Sequence, residues 1–181
     1  MARDIDKGEW RAPDFVFRAS EFLTGARDVL RRPKKILDEL GVKEGHSVID
    51  FFCGPGNFAI PAAEMVGEKG MVHAIDLHPL ALETIEQKAE RRGLNNIETI
   101  FSDIETGLPR ESIDTVLLYG ALHRIDEKRT LMREVSRVLR PGGLVSISDH
   151  RMSKENLLEM MKRSRFDLKD SKGGIFNFIK R

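Results

Sequence analysis

One cysteine, one tryptophan and one tyrosine are all that the chain has of those residue types in 181 positions. The single cysteine, Cys53, excludes an intramolecular disulfide framework. No apolar run reaches membrane-spanning length, so no membrane association is expected. The polar start Met1-Ala2-Arg3-Asp4-Ile5-Asp6 has no signal-peptide core, and the expected location is the cytoplasm. A formal net charge of +1 carries no global signature of nucleic-acid binding. His73 and His78 flank a strand and a turn without metal-ligand spacing, so no metal site is expected. There is neither an internal repeat nor a low-complexity tract. What remains is one domain's length, 1–181, with an arm and helices over 1–45 and a core over 46–181.

Apolar runs and amphipathic stripes alternate along that core. Strands are predicted over Val48–Phe52, Met71–Asp76, Ile97–Phe101, Ile113–Tyr119 and Leu144–Ser148. Between them the helical period predicts helices from Asn57 to Val66, from Pro79 to Arg92 with Leu82, Ile85 and Ala89 facing in, and from a cap at Asp126 to Leu139 with a Leu131, Val135 and Val138 stripe. Ahead of them Ser20 can cap a helix to about Arg31, and Pro33 can open another that stops at Gly41. Such alternation calls for a parallel sheet covered by helices on both faces, an α/β doubly wound fold. After a short helix over Lys154–Arg163, two strands, Phe166–Asp170 and Ile175–Ile179, flank Ser171-Lys172-Gly173-Gly174, a hairpin signal.

The chemistry concentrates in Val48-Ile49-Asp50-Phe51-Phe52-Cys53-Gly54-Pro55-Gly56-Asn57-Phe58. A buried strand runs into a glycine turn and then a helix start, the place where open α/β sheets bind ligands. Gly54 and Gly56 let backbone approach a ligand closely, and the helix offers free N–H groups. The run also fits a dinucleotide fingerprint, with Asp76 about 20 residues on. Asp50 argues against that reading, because an acid just before the glycines would repel a pyrophosphate. An ammonium and a sulfonium, as in S-adenosylmethionine, would be attracted by it. Asp76, ending the second strand, can accept hydrogen bonds from two ribose hydroxyls or can cap the helix from Pro79. Cys53 has no identifiable base beside it and reads as a small buried loop residue.

Several segments in order carry a family resemblance: Val48-Ile49-Asp50 with Cys53-Gly54-Pro55-Gly56, His73-Ala74-Ile75-Asp76-Leu77, Ser102-Asp103-Ile104, Ile113-Asp114-Thr115-Val116, and Arg137-Val138-Leu139-Arg140-Pro141-Gly142-Gly143-Leu144. Over roughly residues 35 to 181 the chain resembles the class I S-adenosylmethionine-dependent methyltransferases, in particular the small-molecule branch related to quinone-biosynthesis methyltransferases. The resemblance implies a Rossmann-like seven-stranded sheet of order 3-2-1-4-5-7-6 with strand 7 antiparallel, and S-adenosylmethionine as cofactor. It implies a cofactor site at Asp50, Phe52, Cys53, Gly54, Gly56 and Asn57, with Asp76 and Leu77 at the ribose and adenine face. Asp103 would meet the adenine amino group, the Ile104 N–H a ring nitrogen, and Tyr119 would lie beside the methionine part. At Phe52 the family usually has glycine, which leaves the backbone path of the loop open.

On the acceptor side His123 follows the fourth strand, where a substrate should approach the methyl group, and could take its proton or serve a structural role. The connection after the fifth strand is short, so cover is expected from elsewhere. Trp10, Phe15 and Phe17 lie amid charges in the arm, and with Arg18 they are expected to form a lid. The bland alternative packs them on the back of the domain. No Asn-Pro-Pro-Tyr-like tetrapeptide of nucleic-acid methyltransferases and no aromatic-basic strip is present, so a small-molecule acceptor is expected and a homo-oligomer stays open. The alternative reading is a non-catalytic cofactor-binding or partner-binding module on the same fold.

Overall fold

The computed structural model describes residues 32–120 and 122–181. The lid residues Trp10, Phe15, Phe17 and Arg18 and the helix expected from Ser20 lie outside the described residues. The elements are α1 (Pro33–Glu39), β1 (Ser47–Phe51), α2 (Ala59–Val66), β2 (Met71–Asp76), α3 (Pro79–Arg91), β3 (Ile97–Phe101), β4 (Ile113–Tyr119), a 3-10 turn (Leu122–Arg124), α4 (Lys128–Val138), β5 (Leu139–Ser148), α5 (Lys154–Arg163), β6 (Phe166–Lys172) and β7 (Ile175–Lys180). They form one seven-stranded sheet of order β3-β2-β1-β4-β5-β7-β6. β1 to β5 pair in parallel, and β7 enters antiparallel between β5 and β6. This is the Rossmann-like order expected from the resemblance.

Two apolar layers follow from the period of the helices. On one face Leu131, Met132, Val135 and Val138 of α4 and Leu157 and Met161 of α5 pack on Ile49, Phe51, Val116 and Ile147. On the other, Leu37 of α1, Ala62, Ala63 and Val66 of α2 and Leu82, Ile85 and Ala89 of α3 pack on Val48, Val72 and Leu117. Central strands covered on both faces have no polar side, which is why β1 and β4 read as nearly continuous apolar runs.

Several boundaries differ from the sequence expectation. α2 starts at Ala59, because Asn57 and Phe58 are still in the turn. Asp126 is not the cap of α4: the N-cap is Glu127, and no side chain there bonds the helix amides. β5 begins at Leu139 and carries Pro141-Gly142-Gly143 within it, where the register moves from Ile113↔Leu139 to Thr115↔Leu144. The extra residues bulge out of the ladder instead of breaking it. The hairpin turn is only Gly173-Gly174, both at positive φ (59° and 80°), with Lys172 opposite Ile175. Left-handed backbone at both central residues is what a two-residue turn matching the strand twist requires.

A polar chain ties the last strands together. Ser146 Oγ donates to Asn177 Oδ1 at 2.7 Å, so the Tyr119 hydroxyl, 2.7 Å from the same Oγ, is the donor to it. Asn177 Nδ2 continues to Asp170 Oδ1 at 2.6 Å. Four neighbouring strands are thus stitched by side chains.

The loop after β3 is held by Glu134 of α4. Its Oε1 accepts from Thr106 N and Oγ1 at 3.1 and 2.6 Å, and Arg137 donates to both oxygens at 2.7 Å. The Arg137 bond, with those from Thr106, outweighs burial and holds the Glu134 carboxyl down at about 2. A depressed carboxyl stabilises the fold above the ordinary glutamate range and loses that contribution as pH falls through its folded value. Glu134→Gln is therefore expected to lower stability at pH 7 by about 1–2 kcal/mol after allowing for solvent screening. The difference between variant and parent should shrink between pH 4.5 and pH 2, which denaturant melts across that window would show.

Candidate active site

At the carboxyl edge of β1 the chain leaves the sheet through Phe52, whose φ is +56°. Cys53 N donates to Ile75 O of β2 at 3.1 Å, and Gly56 N closes the turn on Cys53 O at 3.0 Å. Phe52 thus takes the left-handed backbone for which the family's glycine would be suited, and its ring packs against the core beside Phe51. That conformation costs an L-residue about 1–2 kcal/mol. Phe52→Gly should accordingly be more stable than Phe52→Ala by about 1 kcal/mol, because both lose the ring and only glycine sheds the strain. At an ordinary position alanine wins. Thermal melts of the two variants would decide, and alanine being equal or better would deny the left-handed backbone in solution.

The two loop glycines do different work. A Cβ on Gly56 would lie 2.7 Å from Ile85 Cγ1, so this glycine lets the turn sit on α3. A Cβ on Gly54 would meet nothing within 4 Å among the described residues beyond its chain neighbours, so they leave the space in front of this glycine open. Lys88 of α3 donates to Pro55 O at 2.7 Å and clamps the loop from beneath.

Asp76 ends β2 next to this loop. Its Oδ2 accepts from Gly54 N at 2.9 Å and its Oδ1 from His78 N at 2.9 Å. It therefore orients the glycine turn and the backbone leading into α3, but it does not cap that helix: the N-cap residue is His78, and no side chain there bonds the helix amides. Each carboxylate oxygen has a second lone pair left for a ligand hydroxyl. Asp50 is buried between β2 and β4, level with Ala74 and Leu117. Burial and the negative charges of Asp50 and Asp76 push the Cys53 thiol well above its usual range, which fits a filler and not a nucleophile. Asp103 follows β3, half-buried, and its carboxylate has no hydrogen-bond partner among the described residues. Ile104 is buried beside it and Leu77 follows Asp76, half-buried. Asn57 is half-buried in the turn. Tyr119 stands edge-on to Phe58 with ring centroids 4.6 Å apart, and its hydroxyl is engaged with Ser146. Open space at a glycine, an acid with lone pairs to spare beside it, and a second unpaired acid one strand further along suit an adenosine-bearing ligand.

A second cluster lies where β4 and β5 end. His123 is in the 3-10 turn after β4, and Asp149 follows β5. Asp149 Oδ2 accepts from the His123 backbone N at 2.8 Å and lies 3.0 Å from its Nδ1, with Oδ1 at 3.2 Å. The Asp149 side chain is fully buried. Burial favours its protonated form, but N–H groups of Arg151 and His123 and the His123 ring outweigh that and lower its pKa. The ring of His150 stands 6.0 Å from that of His123. Sequence reasoning found His123 and missed Asp149, although an acid at a strand's carboxyl end was the signal that had singled out Asp76. It also missed Lys88, which no local pattern distinguishes from the other helix-surface lysines.

A glycine turn, a strand-end acid and a seven-stranded sheet with its seventh strand reversed define a class I methyltransferase-type architecture. The chain belongs to the methyltransferase domain family, whose profile matches residues 42–176. It is 31% identical over 116 residues to demethylmenaquinone methyltransferase of Geobacillus stearothermophilus, covering 64% of this chain and 50% of that protein. Aklanonic acid methyltransferase DauC of Streptomyces sp. (strain C5) is 35% identical over 117 residues, covering 64% of this chain and 53% of that protein. The chain spans about half the length of these curated relatives. Among solved structures, a SAM-dependent methyltransferase from Aquifex aeolicus superposes with a TM-score of 0.74 at 26% identity, covering 82% of this chain and 88% of that one. Among the described residues no helix is long and apolar enough to cross a membrane, and no group of three or more potential ligands could hold a metal.

Proposed function

We propose that this protein transfers a methyl group from S-adenosylmethionine to a small-molecule acceptor. The observation that carries the reading is the open space in front of Gly54 beside Asp76, a cradle that a Cβ would enter. Asp76 would hold the ribose hydroxyls, Asp103 and the Ile104 N–H the adenine edge, and the glycine turn with Asp50 the amino-acid end. When bound, the cofactor supplies an already activated methyl donor, so the protein's share is alignment and exclusion of water. The names of the relatives support a small-molecule acceptor. A cytoplasmic setting suits the one buried thiol.

The left-handed Phe52 keeps a glycine-like loop path, which weakens the case for a non-catalytic module that rested on that residue. Calorimetric titration with S-adenosylhomocysteine and with NAD tests the cofactor, and a methyl-acceptor screen tests turnover. Binding of NAD instead, or cofactor binding with no acceptor in any class, would overturn the proposal.

A further inference from the structure

We propose that Glu134, acting through Thr106, is a positioning residue that fixes Asp103 and Ile104 for reading a 6-amino purine edge, so that the site selects adenine against a base with the opposite hydrogen-bond pattern. The inference rests on the methyl-transfer reading above and adds a determinant of base specificity.

Asp103 and Ile104 stand on a segment that has little of its own to hold it. The ladder of β3 with β2 ends at Phe101 opposite Asp76, and 102–112 contains neither helix nor strand. Among the described residues no backbone–backbone bond outside the ladder reaches Asp103, Ile104 or Glu105. Ile104 and Leu108 pack on the core. Apolar contact is non-directional, so it sets the depth of the loop and leaves its twist free. The directional restraint is at Thr106, which is 4% exposed. One oxygen of Glu134 takes both its N–H and its hydroxyl proton, and the same hydroxyl accepts from Leu108 N at 3.1 Å. A backbone donor and a side-chain donor on a single acceptor fix the peptide plane and the rotamer together.

Glu134 is itself held firmly. Arg137 donates to both of its oxygens as a fork, and Leu131 and Val135 on either side of it in the sequence seat α4 on the sheet. With its carboxyl held down at about 2, it keeps its charge throughout the neutral range. The tether therefore runs from a rigid helix to the one polar anchor of the loop, two residues past Ile104.

The chemistry of the base says what such a tether is for. Adenine presents a donor, its 6-amino group, beside an acceptor, N1. A carboxylate and a backbone N–H match that pair. Hypoxanthine has the same shape with both signs reversed, a carbonyl at position 6 and a proton on N1. A site whose two groups are held in place leaves them unpaired against the wrong base, whereas groups that can swing find new partners. Discrimination thus depends on how firmly the loop is held, more than binding itself does.

The test is the ratio of affinities of the intact chain for S-adenosylhomocysteine and S-inosylhomocysteine, measured by calorimetry. Partial unfolding lowers both apparent affinities by the same fraction, so a merely structural role leaves the ratio unchanged. The parent should prefer the adenosyl ligand by about 10²-fold or more. Thr106→Val keeps the shape and loses the hydroxyl, and its ratio should fall to about 10 or below, while Thr106→Ser keeps the ratio of the parent. Glu134→Gln should fall between, since one amide oxygen can still accept from Thr106 while the amide nitrogen meets Arg137. If the parent discriminates and Thr106→Val and Glu134→Gln discriminate equally well, the inference is overturned and the cofactor reading stands. If the parent fails to bind S-adenosylhomocysteine, or binds both ligands alike, that reading falls and takes the inference with it.

Discussion

Replacing Gly54 by valine is expected to abolish binding of S-adenosylhomocysteine, a loss of more than 100-fold, while the chain still folds. The residue has φ +51°, which a β-branched side chain tolerates poorly, at a cost of about 1–3 kcal/mol. Apart from its two chain neighbours, no described residue has an atom within 4 Å of the position a Cβ would take, so the described fold has room for the branch and the ligand does not. Gly56→Val supplies the contrast. Its Cβ would overlap Ile85 of α3, so that variant should lose stability as well as binding. Circular dichroism with calorimetry separates the two. A Gly54→Val protein that binds normally would show that the loop is not the cradle.

Asp76→Ala is expected to weaken S-adenosylhomocysteine by about 3 kcal/mol, roughly 100-fold. The carboxylate would contribute charge-assisted bonds to the ribose, each worth about 1.5–3 kcal/mol. It also holds Gly54 N and His78 N, so its removal releases the turn that shapes the rest of the site. Asp76→Asn should fall between the two, since an amide oxygen can still accept from one of those amides. Fluorescence or calorimetric titration would rank the three proteins. Equal affinities would remove Asp76 from the ribose and leave it as a loop anchor alone.

Much of the fold was legible because periodicity reports burial. Leu82, Ile85 and Ala89 recur at helical spacing, and all three are buried in α3. The apolar runs of β1 and β4 reflect cover on both faces. The terminal hairpin was visible in Gly173-Gly174, since few other residues adopt left-handed backbone twice in succession. Boundaries were less legible. The cap expected at Asp126 fell one residue away, at Glu127, and Pro141-Gly142-Gly143 bulged within β5 because its ladder with β4 resumes beyond them.

The sequence by itself determined the alternation of strands and helices, the glycine turn, and the acids that end β2 and follow β3, because these are local patterns with a physical period or a required backbone conformation. Only the tertiary structure decided that Asp149 grips His123 across 26 positions, that Lys88 clamps Pro55 across 33, and that Glu134 holds Thr106 across 28. It also decided that Phe52 would accept left-handed backbone, with its ring held against the core and Cys53 N pinned to Ile75 O. The reason lies in the crossover connections of a parallel sheet. They bring strand ends from distant parts of the chain to one edge, and periodicity tells which face a residue occupies but not which neighbour it meets there.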